Sequence, residues 1–332
     1  MEAFAIGDLH FDGPLSRLIP NHELVIVNEL NKVAEAARRK GVQNLFLLGD
    51  ICHTPRMSYE SNLAFLGWLQ SLSHDFTVHC ILGNHDMFST QPEAGHSLQL
   101  LEMMNLRHVY VYTKPTKKKI DGALVNFMPW PAQKFRKGML NVAHIERKGS
   151  MSDSGVRFKG KEMPDDNCYC VIGHLHTQQT VRRAYYPGSL LQTTFGEQEK
   201  RYYAHITSDG NEFDIQYVRH KPSIVLRTIV VNKKSDLREL PSDPNILIRL
   251  IIADGLDISK AQLSKYPNVV KVRGFSSKED LQQVVTEDLA EGVDIKIKTK
   301  DFLLKYLSLQ NVDHSMRKDA LRVWKDIVGG RK

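Results

Sequence analysis

Residues 3–10 read Ala3-Phe4-Ala5-Ile6-Gly7-Asp8-Leu9-His10: four apolar residues, a glycine, then an aspartate and a histidine one residue apart. An apolar run this short, closed by glycine, reads as a buried strand with the polar pair at its end. The same order returns three times. Leu45-Phe46-Leu47-Leu48 leads into Gly49-Asp50, His79-Cys80-Ile81-Leu82 into Gly83-Asn84-His85-Asp86, and Cys170-Val171-Ile172 into Gly173-His174-Leu175-His176. His144 closes Leu140-Asn141-Val142-Ala143-His144 without a glycine, and taken alone it fits a half-buried histidine as well as a ligand. Any single one of the 14 histidines is more often a surface or core residue than a metal ligand. Four repeats of strand, glycine and ligand in one chain are a different matter. Hard oxygens from Asp and Asn with imidazole nitrogens suit a first-row divalent metal such as manganese, iron or zinc, in numbers sufficient for two ions. In open α/β folds the crevice beyond the carboxyl ends of the strands is where ligands bind, so the placement itself predicts an active site.

Between these strands the periodicity is helical. Residues 22–40 carry Leu24, Val27, Leu30 and Ala34 as an apolar stripe, end in Arg38-Arg39-Lys40, and stop at Gly41, the C′ residue of a helix. Ser61 to Ser71, with Leu63, Leu66 and Leu69, predicts a second helix, and Gln99 to Met104 a third before the strand Val109-Tyr110-Val111-Tyr112. Later strands at Ala123 to Met128, Val142-Ala143, Tyr169 to Ile172 and Arg201 to Ile206 come with fewer helices, so a second sheet packs on the first. The expected architecture is an α/β two-sheet sandwich flanked by helices over residues 1–218. Ile224 to Val231 and Ile246 to Ile252 are β-branched strands without ligand clusters, predicting a small α+β accessory domain over residues 219–276. Residues 277–332 then form a linker and two helices, Asp301 to Leu309 and Met316 to Val328. In the second, Leu321, Trp324 and Val328 share a face that packs either on its own domain or on a partner.

Composition narrows the partners. The net charge of +7 favours a polyanion, and Lys114 to Lys119, Lys134 to Lys137 and Arg157 to Lys161 are candidate phosphate-backbone contacts as a set. No apolar run approaches the roughly 18 residues of a membrane span, and no signal peptide is read at the N-terminus, so the expectation is a cytoplasmic, non-membrane protein. Cys52, Cys80, Cys168 and Cys170 form no Cys-x-x-Cys pair and read as core residues of a reducing compartment. Gly155 to Lys161 fits most of a phosphate-binding loop, but Glu162 replaces its Ser/Thr and Met163-Pro164 follow, so no ATP hydrolysis is expected.

The order Gly7-Asp8-Leu9-His10, Gly49-Asp50, Gly83-Asn84-His85-Asp86, His144, Gly173-His174-Leu175-His176 resembles the calcineurin-type metallophosphoesterases. Tyr186-Pro187-Gly188-Ser189-Leu190 followed by Phe195-Gly196-Glu197, together with His53, resembles more narrowly the SbcD-type nucleases of double-strand-break repair, in compact phage-encoded form. That resemblance covers roughly residues 1–205. It implies one metal on Asp8, His10, Asp50 and His176 and a second on Asp50, Asn84, His144 and His174, with Asp50 bridging. His85 is then left to stabilise transition-state charge or protonate the leaving oxygen, Asp86 to orient it, and His53 to position His85 or the DNA strand. The implied activity is a manganese-dependent 3′-to-5′ exonuclease and single-strand endonuclease on DNA ends. Its implied partners are a coiled-coil ATPase of the SbcC kind and a second copy of the chain.

Other functions compete. A protein phosphatase of the same superfamily carries Gly-Asn-His-Glu and Gly-Asp-x-x-Asp-Arg-Gly, which this chain lacks. A small-substrate phosphodiesterase fits the ligands but not the basic balance or the added C-terminal region. A catalytically silent scaffold for an ATPase conflicts with the intact ligand set.

Overall fold

The computed structural model describes residues 1–72, 74–89, 95–132, 134–153, 155–159, 168–197, 200–210, 212–253 and 255–275. Contacts gather Met1–Leu289 into one compact unit. The two predicted C-terminal helices and the end of the Arg157 to Lys161 run lie outside the described residues.

Two six-stranded sheets form the body. In the first, β1 (Glu2–Ile6), β2 (Asn44–Leu47), β3 (Thr77–Ile81) and β4 (Val109–Tyr112) run parallel in that order. The second has β5 (Thr116–Ile120) paired with β6 (Ala123–Met128), then β7 (Leu140–His144), β8 (Tyr169–Gly173), β10 (Ala184–Tyr186) and β9 (Gln179–Val181). The first sheet is completed by β11 (Arg201–Ser208), antiparallel to β1, and β12 (Phe213–His220) beside it. Helices α1 (His22–Lys40), α2 (Tyr59–Leu72) and α3 (Gln99–Met104) match the sequence expectation within two residues.

Burial on both faces explains why β1 and β2 read as unbroken apolar runs. Phe4, Ile6, Leu45 and Leu47 pack towards the helices, on Leu30, Val33, Phe65 and Leu69. The alternate residues Ala3, Ala5, Phe46 and Leu48 meet Val125, Phe127, Val142 and Val171 of the second sheet. All four cysteines are buried and none is in a disulfide.

The helical stripes are phased differently from the sequence reading. Leu24 is 56% exposed and Leu63 55%, and the buried faces are Ile26, Leu30, Val33 and Ala37 on α1 and Phe65, Trp68, Leu69 and Leu72 on α2. The first turns of α1 hold Leu24, Val25, Ile26 and Val27 in succession, so apolar side chains point in every direction and periodicity alone cannot choose the face.

Beyond β12, the strands β13 (Val225–Val231), β14 (Ile246–Ala253) and β15 (Val269–Phe275) form a three-stranded parallel sheet. The crossovers contain a 3-10 turn, Lys234–Glu239, and a one-turn helix α4 (Lys260–Leu263). The third strand and α4 have no counterpart in the sequence reading. Leu226, Leu247 and Val270 of this sheet pack with Leu15, Ile19 and Phe195. Among the described residues no helix is long and apolar enough to cross a membrane.

Candidate metal centre

Parallel β1, β2 and β3 deliver Asp8, Asp50 and Asn84 at one edge of the first sheet. In the second sheet His144, the last residue of β7, is in register with Gly173, and His174 follows directly. Glycine precedes the ligands because the strand ends press together. A Cβ on Gly83 would lie 2.1 Å from Asp50 Oδ1 and 2.3 Å from its amide nitrogen. One on Gly49, at φ 89°, would meet His144 Nδ1 at 2.6 Å. Asp8, His10, Asp50 and His174 themselves sit at φ of 38°, 48°, 48° and 87°. Left-handed backbone at non-glycine residues costs about 1–3 kcal/mol each and gathers where function demands it. Here it falls on four of the seven ligand candidates.

Those seven converge as two groups. His10 Nε2 and His176 Nε2 lie 2.9 Å apart beside Asp8. In the second group His144 Nε2 is 3.1 Å from Asp50 Oδ2 and 3.1 Å from Asn84 Oδ1, which in turn is 3.0 Å from His174 Nδ1. Asp50 Oδ2 is also 3.9 Å from His10 Nε2, so this carboxylate stands between the groups. Separations near 3 Å are short enough for donors that would each lie about 2.1 Å from a shared ion. Asp8 Oδ2 is buried with no hydrogen-bond partner, an expensive arrangement that a cation would relieve. The donor set fits two divalent ions.

The main chain fixes these side chains. The His174 amide donates to Asp8 Oδ1 at 2.8 Å and the His85 amide to Asp50 Oδ1 at 2.9 Å. The Leu48 carbonyl accepts from His144 Nδ1 at 2.6 Å, which leaves Nε2 directed at Asp50 and Asn84. Burial raises the Asp8 carboxyl to about 6, although His144 and His176 oppose the rise. Asp50 is held below the usual carboxylate range against its burial, chiefly by His144. Burial keeps His10 well below the ordinary imidazole value, and His174 at about 3 with help from His144. Both are thereby neutral, the form that binds metal. For His144 and His176 burial is outweighed by carboxylates, Asp50 and Asp8 for the first and Glu197, Asp153 and Asp8 for the second, which hold them at about 9 and about 10.

His85 lies against this centre, its ring centroid 5.1 Å from that of His10 and stacked 5.2 Å from that of His53. Its Nδ1 meets the His53 carbonyl at 2.7 Å, and since a carbonyl only accepts, the proton is on Nδ1 and Nε2 is the free end. The expectation that Asp86 orients His85 is corrected here. Asp86 is fully buried, and its carboxylate accepts from the amides of Cys52 and Gly83 at 3.1 and 2.8 Å, tying the Asp50 loop to the Asn84 loop. The contacts His85 makes are with His53, through its carbonyl and its stacked ring.

Three charged residues at the site were not assigned a role from sequence. Glu146 Oε2 is 3.5 Å from His174 Nε2, and Asp153 and Glu197 both approach His176 Nδ1. Glu197 lay within the quoted Phe195-Gly196-Glu197 segment. Asp153 and Glu146 stand in no motif.

A two-sheet α/β sandwich with paired His/Asp ligand groups in the crevice at its strand ends defines a metal-dependent hydrolase of phosphate esters. Residues 1–204 match the family described as calcineurin-like phosphoesterase, and the chain belongs to that family. It is similar to "Exonuclease subunit 1" of Enterobacteria phage T4, 24% identical over 187 residues, which are 52% of this chain and 55% of that protein. It is also similar to "Putative phosphoesterase 078R" of Invertebrate iridescent virus 3, 22% identical over 314 residues, 89% of this chain and 84% of that protein. The chain thus spans about half the length of the phage relative.

Proposed function

We propose that this phosphoesterase is a manganese-dependent nuclease acting on DNA ends, as a 3′-to-5′ exonuclease and single-strand endonuclease in recombination and repair. The observation that carries the reading is an intact ligand set around Asp50, with His85 beside it, in a chain whose matched half is similar to a phage exonuclease subunit. The net charge of +7 and the exposed Lys117, Lys119, Lys134, Arg136 and Arg157 support a polyanionic substrate.

Asp8, His10, Asp50, Asn84, His144, His174 and His176 would hold two divalent ions, which when bound would supply Lewis-acid charge to a phosphodiester and activate water. His85 holds or releases a proton at Nε2, with the ring set by the His53 carbonyl at Nδ1. In the same reading, residues 219–276 act as a DNA-binding cap, residues 277–332 dock a coiled-coil ATPase of the SbcC kind, and two copies of the chain assemble.

Digestion of end-labelled double- and single-stranded DNA with manganese, beside a simple phosphodiester ester, tests the reading. Shortening of DNA from its ends and slow cleavage of the ester is the expected result. Rapid ester hydrolysis with intact DNA would instead favour a small-substrate phosphoesterase.

A further inference from the structure

His176 is held from behind by a buried ion pair that no part of the proposed mechanism uses. Its Nε2 faces His10 Nε2 at 2.9 Å, and its Nδ1 points the other way, onto Glu197 Oε1 at 3.2 Å. Two other oxygens approach that Nδ1, Thr193 Oγ1 at 3.1 Å and Asp153 Oδ2 at 3.3 Å. Asp153 is tied on its other oxygen alone, where the Thr177 hydroxyl donates to Oδ1 at 2.7 Å, whereas Glu197 is anchored through both of its oxygens. Its Oε1 also accepts from the Thr193 amide at 3.1 Å and from the Thr193 hydroxyl, and its Oε2 accepts from Arg201 at 2.9 Å. The same Arg201 nitrogen donates to the His176 carbonyl and to Ser189 Oγ, both at 3.0 Å. Glu197 and Arg201 are both buried, and Asp153, which lines the same open cavity as Glu197, is only slightly more exposed. One ion pair therefore fixes both the ring and the main chain of the same histidine.

We infer that Glu197, held by Arg201, is the positioning residue of His176: it accepts the Nδ1 proton, keeps the Nε2 lone pair directed at the Asp8–His10 side, and sets the affinity of that group for its ion. A ligand histidine ordinarily donates its second nitrogen to a carboxylate or carbonyl, and losing that partner typically costs 10–100-fold in metal affinity or activity. The Leu48 carbonyl does this for His144. Glu197 does it for His176 with a full negative charge.

The inference rests on the two-ion reading, and titration of manganese into the full chain separates the two. Wild-type protein is expected to take up two ions. Glu197→Gln should weaken one site about 10–100-fold and leave the other unchanged, and Asp153→Asn should change neither by more than about threefold. Because Glu197→Gln strands the Arg201 charge in the interior, Glu197→Gln with Arg201→Met removes both charges and is expected to fold with the same selective loss. A third arm needs no substitution. In zinc-loaded wild type the His176 Nδ1 proton should appear by NMR as a slowly exchanging, hydrogen-bonded resonance. Two sites of wild-type affinity in the double variant, weakening on Asp153→Asn equal to that on Glu197→Gln, or a freely exchanging Nδ1 proton would overturn the inference. Uptake of fewer than two ions by the wild type would overturn the two-ion reading itself.

Discussion

At Asp50 three demands meet in one residue. Its carbonyl accepts from the Leu9 and His10 amides at 3.0 Å each, Oδ1 takes the His85 amide, and Oδ2 faces His144 and His10. Substitution by alanine keeps the main-chain bonds and removes the carboxylate placed between the two ligand groups. Asp50→Ala is therefore expected to abolish phosphodiester cleavage with a native circular dichroism spectrum, and near-normal manganese-dependent turnover would refute the shared-carboxylate assignment. His85 tests the other half of the chemistry. Its Nδ1 is taken by the His53 carbonyl, and its assigned role is to the transition state, so His85→Ala should bind two manganese ions and turn over about 10²-fold or more slowly. A stoichiometry of one ion would make His85 a ligand.

At the scale of elements, α1 shows which face of a helix the core selects. Leu30 is fully buried between α1 and the first sheet, and Leu24, six residues earlier, is 56% exposed. Leu30→Ala should cost about 2–5 kcal/mol in urea unfolding and Leu24→Ala no more than about 0.5 kcal/mol, whereas equal membership of one buried stripe would give similar losses at both. On the same helix Glu29 is fully buried and joins α1 to the chain after β12. His220 Nε2 approaches it at 2.6 Å, Lys32 Nζ at 2.9 Å, and the Ser223 amide at 3.0 Å. Burial by itself would raise this carboxyl, but the hydrogen bonds from His220, Ser223 and Lys32 outweigh it and hold Glu29 at about 2, below its ordinary 4.5. A carboxyl depressed on folding stabilises fully above its unfolded value, and the contribution is lost as pH falls through the folded one. The stability gap between wild type and Glu29→Gln should thus be widest above pH 4.5 and narrow towards pH 2, as urea midpoints across that range will register. A gap independent of pH would show that the charge contributes nothing.

For the whole molecule, the question is how the metal centre is joined to the rest of the chain. The loop carrying Glu197 is stitched to the third sheet by Gln192. Its Nε2 donates to the Glu197 and Leu226 carbonyls at 3.1 and 3.0 Å, and its Oε1 accepts from the Leu226 amide at 2.8 Å. The three-stranded sheet is accordingly packed on the site's supporting loop, and Met1–Leu289 is one compact unit. A chain ending near Val293 should fold, bind manganese and cut single-stranded DNA, yet fail to co-purify with a coiled-coil ATPase. An aggregated or metal-free product would assign the Leu321, Trp324 and Val328 stripe to the core. The candidate ligands and the strands that carry them were legible from sequence alone, because metal chemistry demands particular side chains and most sit within a few residues of their own apolar strand and glycine. Asp8, Asp50, Asn84 and His174 each announced themselves in this way. The support of the site was not legible. That Asp86 ties the Asp50 loop to the Asn84 loop, that Glu197 and Arg201 bracket His176, and that Ile26 rather than Leu24 faces the core are contacts between residues remote in sequence. Such contacts leave no local period or spacing, and only the packing of the two sheets, their helices and the third sheet's loop decides them.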